Sequence, residues 1–575
     1  MVLRLCAVGS LVVVTLTGAL SVAKDAPQRP RKVAQETSIL SPLTKLDEAY
    51  QQGKVSRGAH ALAELKYIYK NTDFPAEYRM ASGTPTPVKC GFGAASAIHA
   101  TFNELNPDEQ TLATNLLARP SQQVATASPA GHFLLHYDTS GFESVPLADL
   151  DSTGIPDFIE KAGIYLDSAW EYYHVTVGYL LPPSDGGAGG DSTYDVYFLS
   201  IASFGATIFE AAGPEPWNDF TSYIQMHNTF LGFPPNQDPD GDQLGALKVT
   251  CAHEYYHAVQ LAYDSGDDLW LYESGATSQE DALYPETHDN YQYFPFYWND
   301  PDTFLTVNTG LHKYGAFVWP SFLTDNYTDS VMRTFWEYSR FYDGMTSFDS
   351  ALDLYGSTTK DAFQLFALWN FFSGPRFKPG HFTDGANYPG ALLSQTLPQA
   401  PFSGVAPLVP PDGLGANYLA LPTQGSPAGL LKVDFSGSSS VLWRVNVYFE
   451  DSSGAYESLQ LAPTTGLPSS DMTFTKYNYI DWDTVFVSPL VVSPFLNDNT
   501  YTISASVLPH GDSDASGGVN IADITYLIAY IFSDGPEPVY DKLMGDADCS
   551  GRINISDATF LIAFVFTGGP APCAQ

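Results

Sequence analysis

Positive charge is scarce in this chain. Its 575 residues carry 26 Lys and Arg against 64 Asp and Glu, a net charge of −38. That balance weighs against nucleic acid or an anionic membrane surface as partner, and leaves many carboxylates available to calcium. Cysteine is scarce too, five in all. Cys6 falls in the leader described next, so Cys90, Cys251, Cys549 and Cys573 remain, and spacing does not choose among their pairings. Cys549 with Cys573 is the expected pair, because both fall in one small C-terminal module. Long apolar runs are missing except at the start, where Arg4, an apolar stretch from Leu5 to Leu20 and the small residues Ser21-Val22-Ala23 read as a secretory signal over 1–23. No later run reaches the roughly 18 residues that a membrane span needs. The expectation is an exported, soluble protein of several domains, for which 44% hydrophobic and 14% aromatic residues supply ample cores.

The rest of the chain is organised around Thr250-Cys251-Ala252-His253-Glu254-Tyr255-Tyr256-His257. From Leu244 to Tyr263 there is neither Gly nor Pro after Gly245, which predicts one helix. Four residues apart on a helix, His253 and His257 share a face, so both imidazoles can reach one ion with Glu254 beside them as base. Two core-packed histidines would leave the adjacent Glu254 unexplained. Catalytic zinc takes three protein ligands and keeps one position open. Glu273, in Trp270-Leu271-Tyr272-Glu273-Ser274-Gly275-Ala276 on a second predicted helix that ends in Glu280-Asp281, is the candidate third ligand. HExxH with a downstream helix-borne glutamate resembles the gluzincin zinc peptidases; the longer metzincin pattern is not satisfied after His257.

Ahead of this core, 24–130 carries helical patterns (Leu46 to Leu65, Ala94 to Leu117) broken by Thr84-Pro85-Thr86-Pro87, and reads as a pro-segment or accessory region. Within it Pro87-Val88-Lys89-Cys90-Gly91 resembles the cysteine switch of some metallopeptidase pro-segments, while a Cys90–Cys251 disulfide is the alternative. The peptidase domain is expected over 131–403, opening on a strand from His132 to Tyr137. Asp149, Asp151, Thr153, Ile155 (through its carbonyl), Asp157 and Glu160 occupy the ligand positions of a twelve-residue calcium loop with Gly154 at its turn; a capped helix start is the alternative. The strand Tyr194 to Leu199 is the candidate to border the cleft and pair with extended substrate. Asn236 to Asp242 reads either as a further calcium loop or as a turn into the HExxH helix.

Leu311-His312-Lys313-Tyr314-Gly315-Ala316 lies where gluzincin aminopeptidases carry a tyrosine before Gly-Ala. The resemblance implies Tyr314 as the oxyanion-stabilising residue, with His312 as substitute. Taken from the segment near Leu46 through Tyr314, the chain resembles a family of secreted bacterial metallopeptidases with no known substrate. Its aminopeptidase relatives' GxMEN motif is absent, which favours an endopeptidase.

Alternating runs over 404–509, separated by Gly, Ser and Pro turns, predict a β-sandwich domain. The final module, 510–575, repeats itself. Asp512, Asp514, Ser516, Gly518, Asn520 and Asp523 recur in register as Asp546, Asp548, Ser550, Arg552, Asn554 and Asp557, each set followed by an apolar helix. Side-chain oxygens at loop positions 1, 3, 5, 9 and 12 with a carbonyl at 7 suit calcium. The double pattern resembles type I dockerin. Ile521-Ala522 and Ile555-Ser556 stand where cellulosomal dockerins carry polar recognition residues, which weighs against a cellulosomal cohesin and leaves an atypical cohesin-like partner, a cell-surface partner or self-docking.

The expected fold is therefore multidomain: an α+β zincin-like metallopeptidase domain, a β-sandwich and a small all-α dockerin-like module. Zn²⁺ is the expected catalytic cofactor, Ca²⁺ the structural one, and a protein or peptide the substrate. The alternatives are a non-catalytic surface or assembly protein on a zincin scaffold, and a zinc hydrolase of non-protein substrates.

Overall fold

The computed structural model describes residues 42–573 apart from 71–72, 80–86, 464–470, 495 and 497–498. The secretory signal expected over 1–23 and most of the Thr84–Pro87 segment lie outside the described residues. What is described is a mixed α/β, multidomain chain with several sheets.

Its first part opens with helices α1 (Pro42–Gln51) and α2 (Arg57–Ile68), a short strand β1 (Val88–Cys90), then α3 (Phe92–Thr101) and α4 (Pro107–Leu116). Asn106 caps α4 reciprocally with Glu109, which explains the clean restart after Leu105. Strands β2 (Val124–Ala127), β3 (Phe133–Tyr137), β4 (Tyr194–Leu199), β5 (Ser203–Ala212) and β6 (Phe220–His227) follow, with α5 (Asp157–Trp170) between β3 and β4. They form one sheet in the order β1-β5-β6-β4-β3-β2.

Two expectations change here. The strand from Tyr194 to Leu199 exists but pairs on one side with β3 and on the other with β6, so substrate cannot add to it. The boundary at 130 is crossed by the sheet itself, since β2 pairs with β3 and β1 with β5. Cys90 and Phe92 belong to the same apolar core as the HExxH helix.

That helix is α6 (Asp242–Leu261), followed by α7 (Leu269–Leu283) and the helices α8 (Pro295–Trp298), α9 (His312–Gly315), α10 (Val318–Asn326), α11 (Val331–Ser339), α12 (Gly344–Asp353) and α13 (Thr359–Phe371). From Gly245 to Leu261 every residue of α6 is buried. A helix enclosed on all sides must satisfy its polar side chains internally, and this is what brings acceptors to its histidines.

Beyond it lie two antiparallel-rich sheets. One holds β13 (Asp471–Tyr477), β10 (Leu430–Gly437), β15 (Tyr501–Leu508) and β8 (Phe402–Val405); the other holds β12 (Tyr456–Leu461), β11 (Trp443–Glu450), β14 (Thr484–Val491), β9 (Leu419–Pro422) and β7 (Gln395–Thr396). They enclose a shared core that includes Val433, Phe435, Trp443, Val447, Val487 and Ile503. The outer face of β11 and β14 is covered as well: the Phe371 ring stacks on Tyr448 at 4.0 Å, and Asn446 Nδ2 donates to the Gln364 carbonyl at 2.9 Å. The chain ends in α14 (Ile521–Phe532) and α15 (Ile555–Thr567), packed through Leu527 and Leu561. Cys549 and Cys573 form a disulfide there, as expected. Cys90 and Cys251 are both free and buried, so the alternative pairing between them is not made.

Candidate functional site

The packing of α6 on α7, under the sheet, brings His253, His257 and Glu273 together. His253 Nε2 lies 3.1 Å from His257 Nε2 and 3.2 Å from Glu273 Oε2, which is 3.6 Å from His257 Nε2. All three side chains are buried. A fourth donor stands with them: Cys90 Sγ is 3.4 Å from His257 Nε2, and the four ligand atoms lie within 4.8 Å of one another.

The outer nitrogens fix the protonation pattern. His253 Nδ1 donates to Glu280 Oε1 at 2.8 Å and His257 Nδ1 to Gln260 Oε1 at 2.7 Å. In a neutral imidazole the other nitrogen is then an acceptor. Two acceptor lone pairs facing each other at 3.1 Å repel unless a cation sits between them. Burial alone would lower the His253 pKa, but Glu273 and Glu280 outweigh it and raise it to about 9. Burial likewise disfavours the Glu273 carboxylate, yet the two histidines hold it down at about 2. Donors around a common divalent ion at about 2.0–2.3 Å stand roughly 3.3–3.6 Å apart. The observed spacings, 3.1 to 3.6 Å, fall at most 0.2 Å short of that range, so the residues fit a metal.

Glu254 lies beside this cluster. Its Oε2 accepts from Thr207 Oγ1 at 2.9 Å, Oε1 is buried with no N–H or O–H donor on it, and the Cys90 thiol stands against the same carboxylate. Burial pushes its pKa up, against the pull of the two histidines. A carboxylate held in this way beside the cluster is placed to act as a proton acceptor. Gly205 makes room for it: a Cβ there would stand 2.6 Å from Glu254 Cγ. The Tyr314 hydroxyl is 3.5 Å from Glu273 Oε1, at the cluster's edge, whereas His312 Nδ1 faces the Phe296 carbonyl at 2.7 Å. Of the two residues the resemblance offered, the geometry brings Tyr314 to the site.

Several contributors were not singled out from sequence. Glu280 supports His253, and its other oxygen accepts from the buried Lys89 Nζ at 2.9 Å; Lys89 also pairs with Asp289 at 2.6 Å. Gln260, Thr207 and Gly205 complete the surround. Only Gln260 carried a usable signal, three residues after the second histidine.

Three loops share one backbone pattern. Asp512 accepts from Ser516 N and Gly517 N, Asp546 from Ser550 N and Gly551 N, and Asp149 from Thr153 N and Gly154 N, all between 2.7 and 3.0 Å. The sixth position is a left-handed glycine in each, Gly517, Gly551 and Gly154. Asp523 and Asp557 close the two C-terminal loops through two backbone N–H groups each. Burial, joined by Asp514 and Asp512, pushes the Asp523 carboxyl up to about 6. Asp512, Asp514 and Asp523 bring three oxygens together, as do Asp149, Asp151 and Asp157. The turn before α6 is different: Lys248 Nζ bonds both oxygens of Asp238, at 3.0 and 2.9 Å, and also pairs with Asp240. An ammonium occupies the position a calcium ion would need, so the Asn236–Asp242 segment is a turn.

No protein-family model and no curated protein matches this sequence. Among the described residues, no helix is long and apolar enough to cross a membrane.

Proposed function

We propose that this chain is a secreted zinc-dependent endopeptidase carrying calcium-binding modules. One observation carries the reading: two imidazole Nε2 atoms and a carboxylate converge in a buried cluster, with the buried carboxylate of Glu254 alongside. A set of two nitrogens, an oxygen and a nearby sulfur suits zinc better than calcium or magnesium. His253, His257 and Glu273 would hold it. Bound there, zinc supplies a Lewis acid that lowers the pKa of water towards about 7 and polarises a carbonyl.

The chain's own groups do the rest. Glu254 Oε1 receives the proton of the attacking water and returns it to the leaving amine. Tyr314 donates its hydroxyl to the oxygen on which negative charge develops, an interaction typically worth about 3 kcal/mol. Glu280 and Gln260 hold the imidazoles in the tautomer that presents Nε2. The fold reading that accompanies this function is a zincin-like domain followed by a β-sandwich and a dockerin-like pair of calcium loops. The Asp149 loop is a third calcium site, supported by its shared hydrogen-bond pattern. The C-terminal module would attach the enzyme to a cohesin-like or cell-surface partner.

Glu254→Gln should keep one zinc per chain and lose casein hydrolysis. An active Glu254→Gln variant refutes the role given to Glu254. Full zinc content without hydrolysis, in both the parent and a variant freed of Cys90, refutes the peptidase reading and favours a scaffold.

A further inference from the structure

Catalytic zinc sites keep one position open, and structural ones close it with a fourth protein ligand. The centre described above has four buried donors, the fourth being Cys90. Its sulfur is placed by the strand that carries it. β1 runs parallel to β5, with Cys90 opposite Gly205 and Gly91 N donating to the Gly205 carbonyl at 2.9 Å. Phe92 N donates to Cys90 Sγ at 3.3 Å, and the Phe92 ring stacks on His257 at 4.2 Å. The preceding residue, Lys89, is anchored in the buried carboxylates of Glu280 and Asp289. A side chain held from three directions is not a chance neighbour of the histidines.

The same strand fills a second position. β5 runs beside α6, where its Thr207 bonds Glu254, and β1 covers the outer edge of β5. An extended peptide that adds to a sheet uses such an edge. Here the edge nearest Glu254 is taken by residues 88–90 of the chain itself.

From this we infer that Cys90 is the fourth ligand of the metal, and that β1 holds the chain in a closed, latent state from which Cys90 must withdraw before substrate can enter. The step is ligand exchange without redox change. The Cys90 thiol gives up its proton to solvent as sulfur binds; on withdrawal the sulfur takes a proton back and water fills the vacated position. This inference rests on the metal-centre reading of the previous subsection.

The test uses the full chain loaded with cobalt(II), as wild type, Cys90→Ser and Cys90→Ala. The wild type should show a thiolate-to-cobalt charge-transfer band that both variants lack, at one cobalt per chain throughout. With zinc in place of cobalt, Cys90→Ala should hydrolyse casein faster by about tenfold or more, as opening a closed site predicts. Identical cobalt spectra in wild type and Cys90→Ala overturn the ligand assignment while leaving the metal centre standing. No cobalt bound by any form overturns the metal centre itself and this inference with it. A sulfur band with equal hydrolysis by wild type and Cys90→Ala overturns the latency.

Discussion

Glu280→Gln reads how strongly a carboxylate outside the ligand set governs the centre. Glu280 engages both oxygens, Oε1 with His253 Nδ1 at 2.8 Å and Oε2 with Lys89 Nζ at 2.9 Å. A carboxamide has only one oxygen. If that oxygen stays on His253, the NH₂ turns towards the Lys89 ammonium, donor against donor; if the group flips, the NH₂ faces Nδ1–H. In either case His253 loses an anionic acceptor and Nε2 becomes less basic. Losing such a partner typically lowers metal affinity about 10–100-fold, or about 1.4–2.7 kcal/mol. Protons offset part of this. The wild-type His253, raised to about 9 because its two carboxylates outweigh burial, must release a proton to bind metal at neutral pH. That costs about 1.4 kcal/mol for each pH unit below the pKa. The variant, with a lower His253 pKa, has less to release. The deficit should therefore be smallest near neutrality and reach its full size once His253 is neutral in both proteins. Competition with a chromogenic zinc chelator from neutral to alkaline pH measures it, with circular dichroism to verify the fold. Equal affinities at alkaline pH, or a deficit that shrinks as pH rises, would refute the reasoning.

Gly205→Ala should crowd Glu254 by the 2.6 Å approach of its new Cβ to Cγ. Hydrolysis should fall by about 10²-fold, the scale of a roughly 1 Å misplacement, while zinc content stays at one per chain; parental activity would show that Glu254 has slack. In the C-terminal module, the Asp523 pKa is raised in the folded, cation-free state, to about 6, by burial and its acidic neighbours. Its ionised form thus disfavours folding, and without calcium the module should lose stability as pH rises through that value. Calcium should reverse the trend, with binding weakening below about pH 6 as the carboxyl takes up its proton. Thermal melts at several pH values with and without calcium decide the point, and a calcium-free module that gains stability with rising pH would contradict it.

Helical spacing made part of the centre legible. His253 and His257 must share a face of any helix that holds them, and α6 runs over nearly the expected span. Glu273 and Tyr314 came through resemblance, and both stand at the cluster. What stayed hidden depends on pairing between distant segments. Nothing in Val88-Lys89-Cys90 announces a parallel partner in β5, so Cys90 could be read equally as a metal cap or as half of a disulfide. The expected role of Tyr194–Leu199 failed because strand order is not written in any one strand. The Asp238 segment stayed open between calcium loop and turn because the group that decides it, Lys248, lies on the next helix. In the second half, β11 belongs to the alternating runs that predict strands, yet both its faces are covered, the outer one at Asn446 and Tyr448 by α13. Local periodicity reports burial only when the covering element is known.

Lys89 also sets a delay in synthesis. It emerges early, yet its buried partners Glu280 and Asp289 follow 191 and 200 residues later. At roughly 5–20 residues per second, about 10–40 s pass before either carboxylate exists. Throughout that interval β1 can bring to β5 an ammonium with no counter-charge, so its docking is held back until α7 and the turn after it have been made. In a chain that folds as it emerges, the strand that bears Cys90 is therefore expected to settle on β5 only after the helix with its two histidines has been made.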